Sequence, residues 1–170
     1  MGLWDKLFGK GSNDKTADEK HLFDYEALKN AIEESRTKEL DDRMRAEKSL
    51  RTFFRELLLT KFSGYSIREN VEVTELVGDL CCSFKLYKNR PYQVYKAEWG
   101  RPYSFVLYED SRPVGVIMLM GYRGDADLME VLVSKMYAKK LDIPYMAFYA
   151  DFQNEEDYVV NRIKKNIRKM

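Results

Sequence analysis

The side chains of this chain that could do chemistry are mostly cations, and they gather near its end. Arg162, Lys164, Lys165, Arg168 and Lys169 crowd the last stretch, and Arg123 stands in the segment Gly121-Tyr122-Arg123-Gly124-Asp125. Cations that share a surface with aromatic rings suit a nucleic acid, because phosphates take the charge and bases take the rings. Arg123, Arg162, Lys165 and Arg168 are therefore the candidate nucleic-acid-binding residues, with Tyr122 a candidate aromatic neighbour. Two plainer readings stand beside this one. C-terminal cations complement the negative end of a terminal helix. Residues 121–125 also have the length of an ordinary strand-to-helix loop, although their N–H groups and Arg123 would suit an anion.

Other chemistries find little to work with. The two cysteines, Cys81 and Cys82, are adjacent, a spacing that suits neither a CxxC metal knuckle nor a disulfide framework. They are expected to be reduced and to face opposite sides of a strand, with one of them buried. The single histidine, His21, leaves no set for a zinc site or a Ser/His triad. Phosphate-binding and nucleophile-elbow motifs of the P-loop, GxGxxG and G-x-S-x-G types do not occur.

The elements that must position these residues follow from composition and pattern. A chain of 170 residues with 45% hydrophobic and 14% aromatic content can bury one core of ordinary size. With 29 Lys+Arg against 28 Asp+Glu the formal charge is +1, so a polyanion would need a local patch rather than a whole-molecule field. No run reaches the length of a membrane span and no cleavable leader pattern is present, which places the chain in the cytoplasm by expectation. Leu3, Trp4, Leu7 and Phe8 fall on one face of a short helix and are candidate membrane or docking contacts, with Lys6 and Lys10 toward anionic lipid. The alternative for residues 1–22 is a leader and linker packing loosely, since short helices are marginal alone. Lys6 stands where a myristoylation signal wants Ser or Thr.

From Phe23 onward the spacing becomes helical, with Tyr25, Leu28 and Ile32 at three and four. Residues 33–48 are dominated by charge, with Leu40 and Met44 the only apolar pair, so residues 23–47 read as a solvated helix. Leu50, Phe53, Phe54, Leu57, Leu58 and Phe62 then give a broad core face, and the α/β core is expected over residues 48–170. Gly64 is expected to close this helix as a permissive C-terminal glycine. A strand follows with a bend near Glu69 and Asn70, while residues 76–95 mix signals and stay unassigned. The clearest β signal spans residues 103–120, two apolar runs around Glu109-Asp110-Ser111-Arg112, which predicts a hairpin buried on both faces. A core helix using Leu128, Met129, Leu132, Val133, Met136, Tyr137 and Leu141 leads to a strand at residues 145–149, the length of a parallel βαβ crossover. Asn154 is expected to cap the last helix, with Val159, Ile163 and Ile167 facing inward. The fold class is α/β, a mixed central sheet flanked by helices with an extra N-terminal helical segment.

This order, αβββαβ over residues 48–167, resembles that of the restriction-endonuclease-like, or PD-(D/E)XK, superfamily. The ending is also similar to that of a group of small bacterial proteins in which an IPYMAF-type strand precedes NEEDYVVNRI. The resemblance implies an acid on the second strand and an E-x-K on the third, converging on a divalent metal. The metal would be Mg²⁺, which demands oxygen ligands and lowers the pKa of the attacking water. Carried onto this chain, the acid falls near Tyr103 or Ser104 and the E-x-K on Met118-Leu119-Met120. None of these is acidic or basic, and methionine is no ligand for Mg²⁺. Under a nuclease reading the catalysis would pass to displaced residues, Glu47 or Glu56, Glu98, Glu130 and Lys135, with Mg²⁺ as cofactor. The leading expectation is instead a non-catalytic domain of nuclease-like fold, without metal or cofactor, that binds a protein or nucleic acid. A third reading is a membrane-peripheral adaptor held by Leu3, Trp4, Leu7 and Phe8, with no transmembrane segment.

Overall fold

The computed structural model describes residues 25–167. The chain falls into two units, Met1–Arg36 and Thr37–Met170. The described part of the first is the opening of helix α1 (Tyr25–Lys61), where Leu28 is half-buried and Ile32 exposed. The charged stretch and the apolar stretch that follows it form this single helix without a break. Leu40 and Met44 stay exposed, as a solvated face requires, whereas Leu50, Phe54, Leu57 and Leu58 are buried. The helix does not end on a left-handed glycine. Gly78 is the only glycine at positive φ among the described residues, and the turn after Lys61 closes through the Tyr65 N–H donating to the Phe62 carbonyl at 2.9 Å.

In the second unit the chain continues through β1 (Ser66–Val71), α2 (Val73–Val77), β2 (Cys81–Phe84), β3 (Gln93–Lys96), β4 (Tyr103–Glu109), β5 (Arg112–Met120), α3 (Met129–Lys140), β6 (Tyr145–Tyr149) and α4 (Glu156–Asn166). The main sheet has four strands in the order β1-β4-β5-β6. β4 is antiparallel to β1 and β5, and β6 lies parallel to β5 after the α3 crossover. The hairpin between β4 and β5 turns on Asp110 and Ser111, both at positive φ, the conformation that matches the twist of paired strands. The expected bend in β1 falls at Asn70, φ 51°. Residues 76–95 hold the end of α2 and a two-stranded sheet, β2 with β3. On β2, Cys81 is exposed and Cys82 buried.

Helices cover both faces of the main sheet. Phe105, Leu107, Ile117, Leu119, Met146 and Phe148 pack with Leu50, Phe54, Leu57 and Leu58 of α1 and Val159 and Ile163 of α4. Val106, Val116, Met118 and Met120 pack on the other side with Val131, Val133, Tyr137 and Ala138 of α3 and with Cys82, Phe84 and Tyr95 of the small sheet. The inward face of α3 differs from the predicted one. Leu128 and Met129 are exposed, because residues 123–127 form a 3-10 turn and the α-helix starts only at Met129. The Tyr137 hydroxyl ties the small sheet to α3, accepting from the Cys82 N–H at 3.2 Å and donating to the Tyr95 carbonyl at 2.6 Å.

Candidate nucleic-acid interface

The positions where the resemblance would put metal ligands are filled by packing. Ser104 is 2% exposed, and Met118 and Met120 are fully buried. Tyr103 packs with Met118 and Met120, while Phe105, two residues on, packs on the opposite side of the sheet. The strand's alternation therefore breaks at Ser104, whose Oγ accepts the Leu119 N–H at 2.9 Å. The Tyr103 hydroxyl donates to the Ser134 carbonyl at 2.7 Å, and burial raises its pKa well above the usual phenol value.

The displaced candidates do not converge. Glu47 is bound to Arg101 through both carboxylate oxygens, at 2.8 and 3.0 Å, and lies 3.9 Å from Arg51. Glu56 is exposed on α1. Glu98 is exposed in the 3-10 turn after β3, 3.6 Å from Lys96. Glu130 is exposed at the start of α3, where its backbone carbonyl accepts from Arg101 N–H at 3.0 Å. Lys135 is exposed on α3, at a surface cavity that also involves Lys139, Ile143 and Tyr145. Among the described residues no three His, Cys, Asp or Glu side chains gather in a way that could hold a metal ion.

The basic residues behave differently. The Arg123 guanidinium lies 4.9 Å over the ring of Phe152, and the Phe152 and Tyr158 ring centroids are 5.9 Å apart. Arg162 donates to the Tyr158 hydroxyl at 3.4 Å and lies 4.5 Å over the buried ring of Phe148. Arg123, Phe152, Tyr158 and Arg162 thus form a continuous ladder of two adjacent aromatic rings with a cation at each end, and Phe152 and Tyr158 are 43% and 42% exposed. Against known protein families, curated proteins and solved structures, the chain has no match. Its chemistry must be read from its own residues.

Lys165 shares a groove of about 440 Å³ with Tyr158, Asn161, Arg162 and Asn166. Three of the four predicted basic residues therefore sit on or beside one ladder. Arg168 lies outside the described residues, as do Leu3, Trp4, Leu7 and Phe8. No helix among the described residues is long and apolar enough to cross a membrane. Charge pairing separates the ladder cations from seven others. Arg43, Arg51, Arg55, Lys61, Arg68, Lys96 and Arg101 each lie within ion-pair distance of a carboxylate, whereas no such contact is made by Arg123, Arg162 or Lys165 among the described residues.

Two expectations change here. Tyr122 is not an open ring, since Arg43 covers it at 4.5 Å while reaching Glu39 at 2.7 Å and Asp125 at 3.8 Å. Asn154 does not cap α4. Its amide N–H₂ donates to the carbonyls of Tyr149 and Phe152 at 2.7 and 2.9 Å, holding the loop that presents Phe152. Phe152 was silent in the sequence because it lies between elements, where no periodicity marks it. Tyr158 and Arg162 did carry a signal, four residues apart on one helix face.

Proposed function

We propose that this domain is a non-catalytic binding module of restriction-endonuclease-like fold, and that its partner is a nucleic acid held on the Arg123–Phe152–Tyr158–Arg162 ladder. The ladder is the observation that carries the reading. Exposed aromatic faces offer stacking surface to bases, and the neighbouring guanidinium and ammonium groups have no carboxylate to neutralise them among the described residues, so phosphates are their natural counterions. The likeness of fold is supported by the chain order α1, β1, β4, β5, α3, β6, in which the β2–β3 hairpin would be an insertion between the first and second strands. The non-catalytic half is supported by Ser104, Met118 and Met120 in the motif positions, and among the described residues no three His, Cys, Asp or Glu side chains are placed to hold a metal ion. A protein partner would leave the unpaired cations without a stated role.

Fluorescence anisotropy with labelled oligonucleotides at rising salt tests the binding half. Saturable binding that weakens with salt is expected, and Arg123→Ala with Lys165→Ala should reduce it. An absence of binding at low salt removes the nucleic acid from the reading and leaves a protein partner. Incubation of the same oligonucleotides with Mg²⁺ or Mn²⁺ tests the other half. Cleavage that disappears in Glu98→Ala or Lys135→Ala would establish the displaced-residue nuclease instead.

A further inference from the structure

Resting on the nucleic-acid reading, the geometry points to a more specific site: the groove on the outward face of α4 is a subsite for one unpaired nucleotide, so the partner is single-stranded. Tyr158, Asn161, Arg162 and Lys165 stand at i, i+3, i+4 and i+7, one face of the helix, while Val159 and Ile163 turn into the core. The space above them, about 440 Å³, is shallow and open to solvent, as a surface that receives one strand segment side-on would be.

Each lining group has a separate use. The Tyr158 ring is exposed and offers a stacking face. Asn161 is exposed, and its amide makes no hydrogen bond to the described residues, so both a donor and an acceptor remain for a base edge. Asn166 is partly committed, its N–H₂ donating to the Arg162 carbonyl at 2.7 Å. The Arg162 guanidinium lies 4.5 Å over the Phe148 ring, and the exposed Lys165 stands one turn further on as a point charge for phosphate.

A duplex does not suit this surface. Base faces inside a double helix are covered by their neighbours, so only an unpaired base can lie on Tyr158 or Phe152. The basic area is also narrow. Asp151, at 3.5 Å from the Arg123 N–H, and Glu155 and Asp157, ahead of the basic end of α4, are exposed, and a second phosphate rail brought near them would be repelled. A single strand can turn its phosphates to Arg162 and Lys165 and avoid them.

The test compares single-stranded DNA and RNA of about 12 nucleotides with a blunt duplex of equal length, using anisotropy on the full chain and its Tyr158→Ala, Tyr158→Phe and Asn161→Ala variants. Single strands should bind about tenfold tighter than the duplex, and Tyr158→Ala should weaken them by about tenfold or more while Tyr158→Phe, which keeps the ring, restores them. Asn161→Ala should change the ratio of affinities among homopolymers of different bases. A duplex bound as tightly as the single strand, or a Tyr158→Ala variant that binds single strands unchanged, overturns the single-strand site and leaves the broader nucleic-acid reading. Failure of both strand forms to bind overturns the broader reading itself. An unchanged homopolymer ratio in Asn161→Ala removes the base-edge contact. Tyr158 and Asn161 are exposed, so the fold of each variant is checked against the parent by far-UV circular dichroism.

Discussion

Ser104, on the first strand of the hairpin, occupies a packing position that does not suit an acid. Its hydroxyl replaces a backbone partner, taking the Leu119 N–H at 2.9 Å in a site 2% exposed to solvent. Removing that acceptor leaves a buried donor unpaired, which costs about 1–3 kcal/mol. Ser104→Ala is therefore expected to lower the free energy of unfolding in urea by that amount. Ser104→Asp should lower it further, because a carboxylate placed in so buried a site must lose its hydration or its charge. If Ser104→Asp were as stable as the parent and bound Mg²⁺, the site would be a dormant metal centre rather than a packing position. The neighbouring methionines tell the same story from the other strand: Met118 and Met120 are fully buried against α3, so an E-x-K there would meet hydrocarbon.

One edge strand of the sheet, β1, leans on charged contacts as well as on its few apolar ones. β1 is an edge strand with mostly exposed side chains, and it is pinned to α1 by Arg55 donating to Glu69 at 2.6 and 2.7 Å and by Arg51 donating to Asn70 at 3.0 Å. Arg68 pairs with Glu75 of α2. The hydrogen bond from Arg55 holds the Glu69 carboxyl below its ordinary value of 4.5. The Glu72 backbone N–H, then Arg68, does the same for Glu75. A carboxyl whose pKa is lowered on folding adds stability above the unfolded value, and that stability is lost as pH falls through the folded one. The urea midpoint is thus expected to fall on acidification below about pH 4.5, with a shallower fall in Glu69→Gln, and the difference should shrink in high salt because these pairs are exposed. Equal pH profiles in parent and variant would contradict it. The same elements show what the sequence could and could not disclose. Two apolar runs around a polar turn identified β4 and β5, since burial on both faces leaves no other composition. β2 and β3 were hidden because four-residue strands alternating around Cys82, Phe84 and Tyr95 offer too few positions to establish a period. The cap at Asn154 was misread because its side chain serves the preceding loop, a choice made by tertiary contact.

Across the whole molecule, a formal charge of +1 gives no general attraction to polyanions, so affinity must come from cations left unneutralised locally. Arg43 and Arg123 make the contrast sharp, since each lies over an aromatic ring, at 4.5 and 4.9 Å. Arg43 is bound to Glu39 and faces Asp125, while the Arg123 guanidinium pairs with no carboxylate among the described residues, the Asp151 carboxylate accepting only the Arg123 backbone N–H at 3.5 Å. Replacing a phosphate counterion by a protein cation releases that ion, so log affinity falls with log salt by about 0.7 per phosphate contact on a single strand. Arg123, Arg162 and Lys165 together should give a slope of about −2. Arg123→Ala and Lys165→Ala should each remove about 0.7 of it, and the double variant should keep a slope of about −0.7 from Arg162. Arg43→Ala should leave slope and affinity unchanged while lowering the urea midpoint, because it loses contacts with Glu39, Asp125 and Tyr122 rather than a phosphate. A slope unaltered by Arg123→Ala, or one reduced as much by Arg43→Ala, would mean that pairing with carboxylates does not decide which cations meet the nucleic acid.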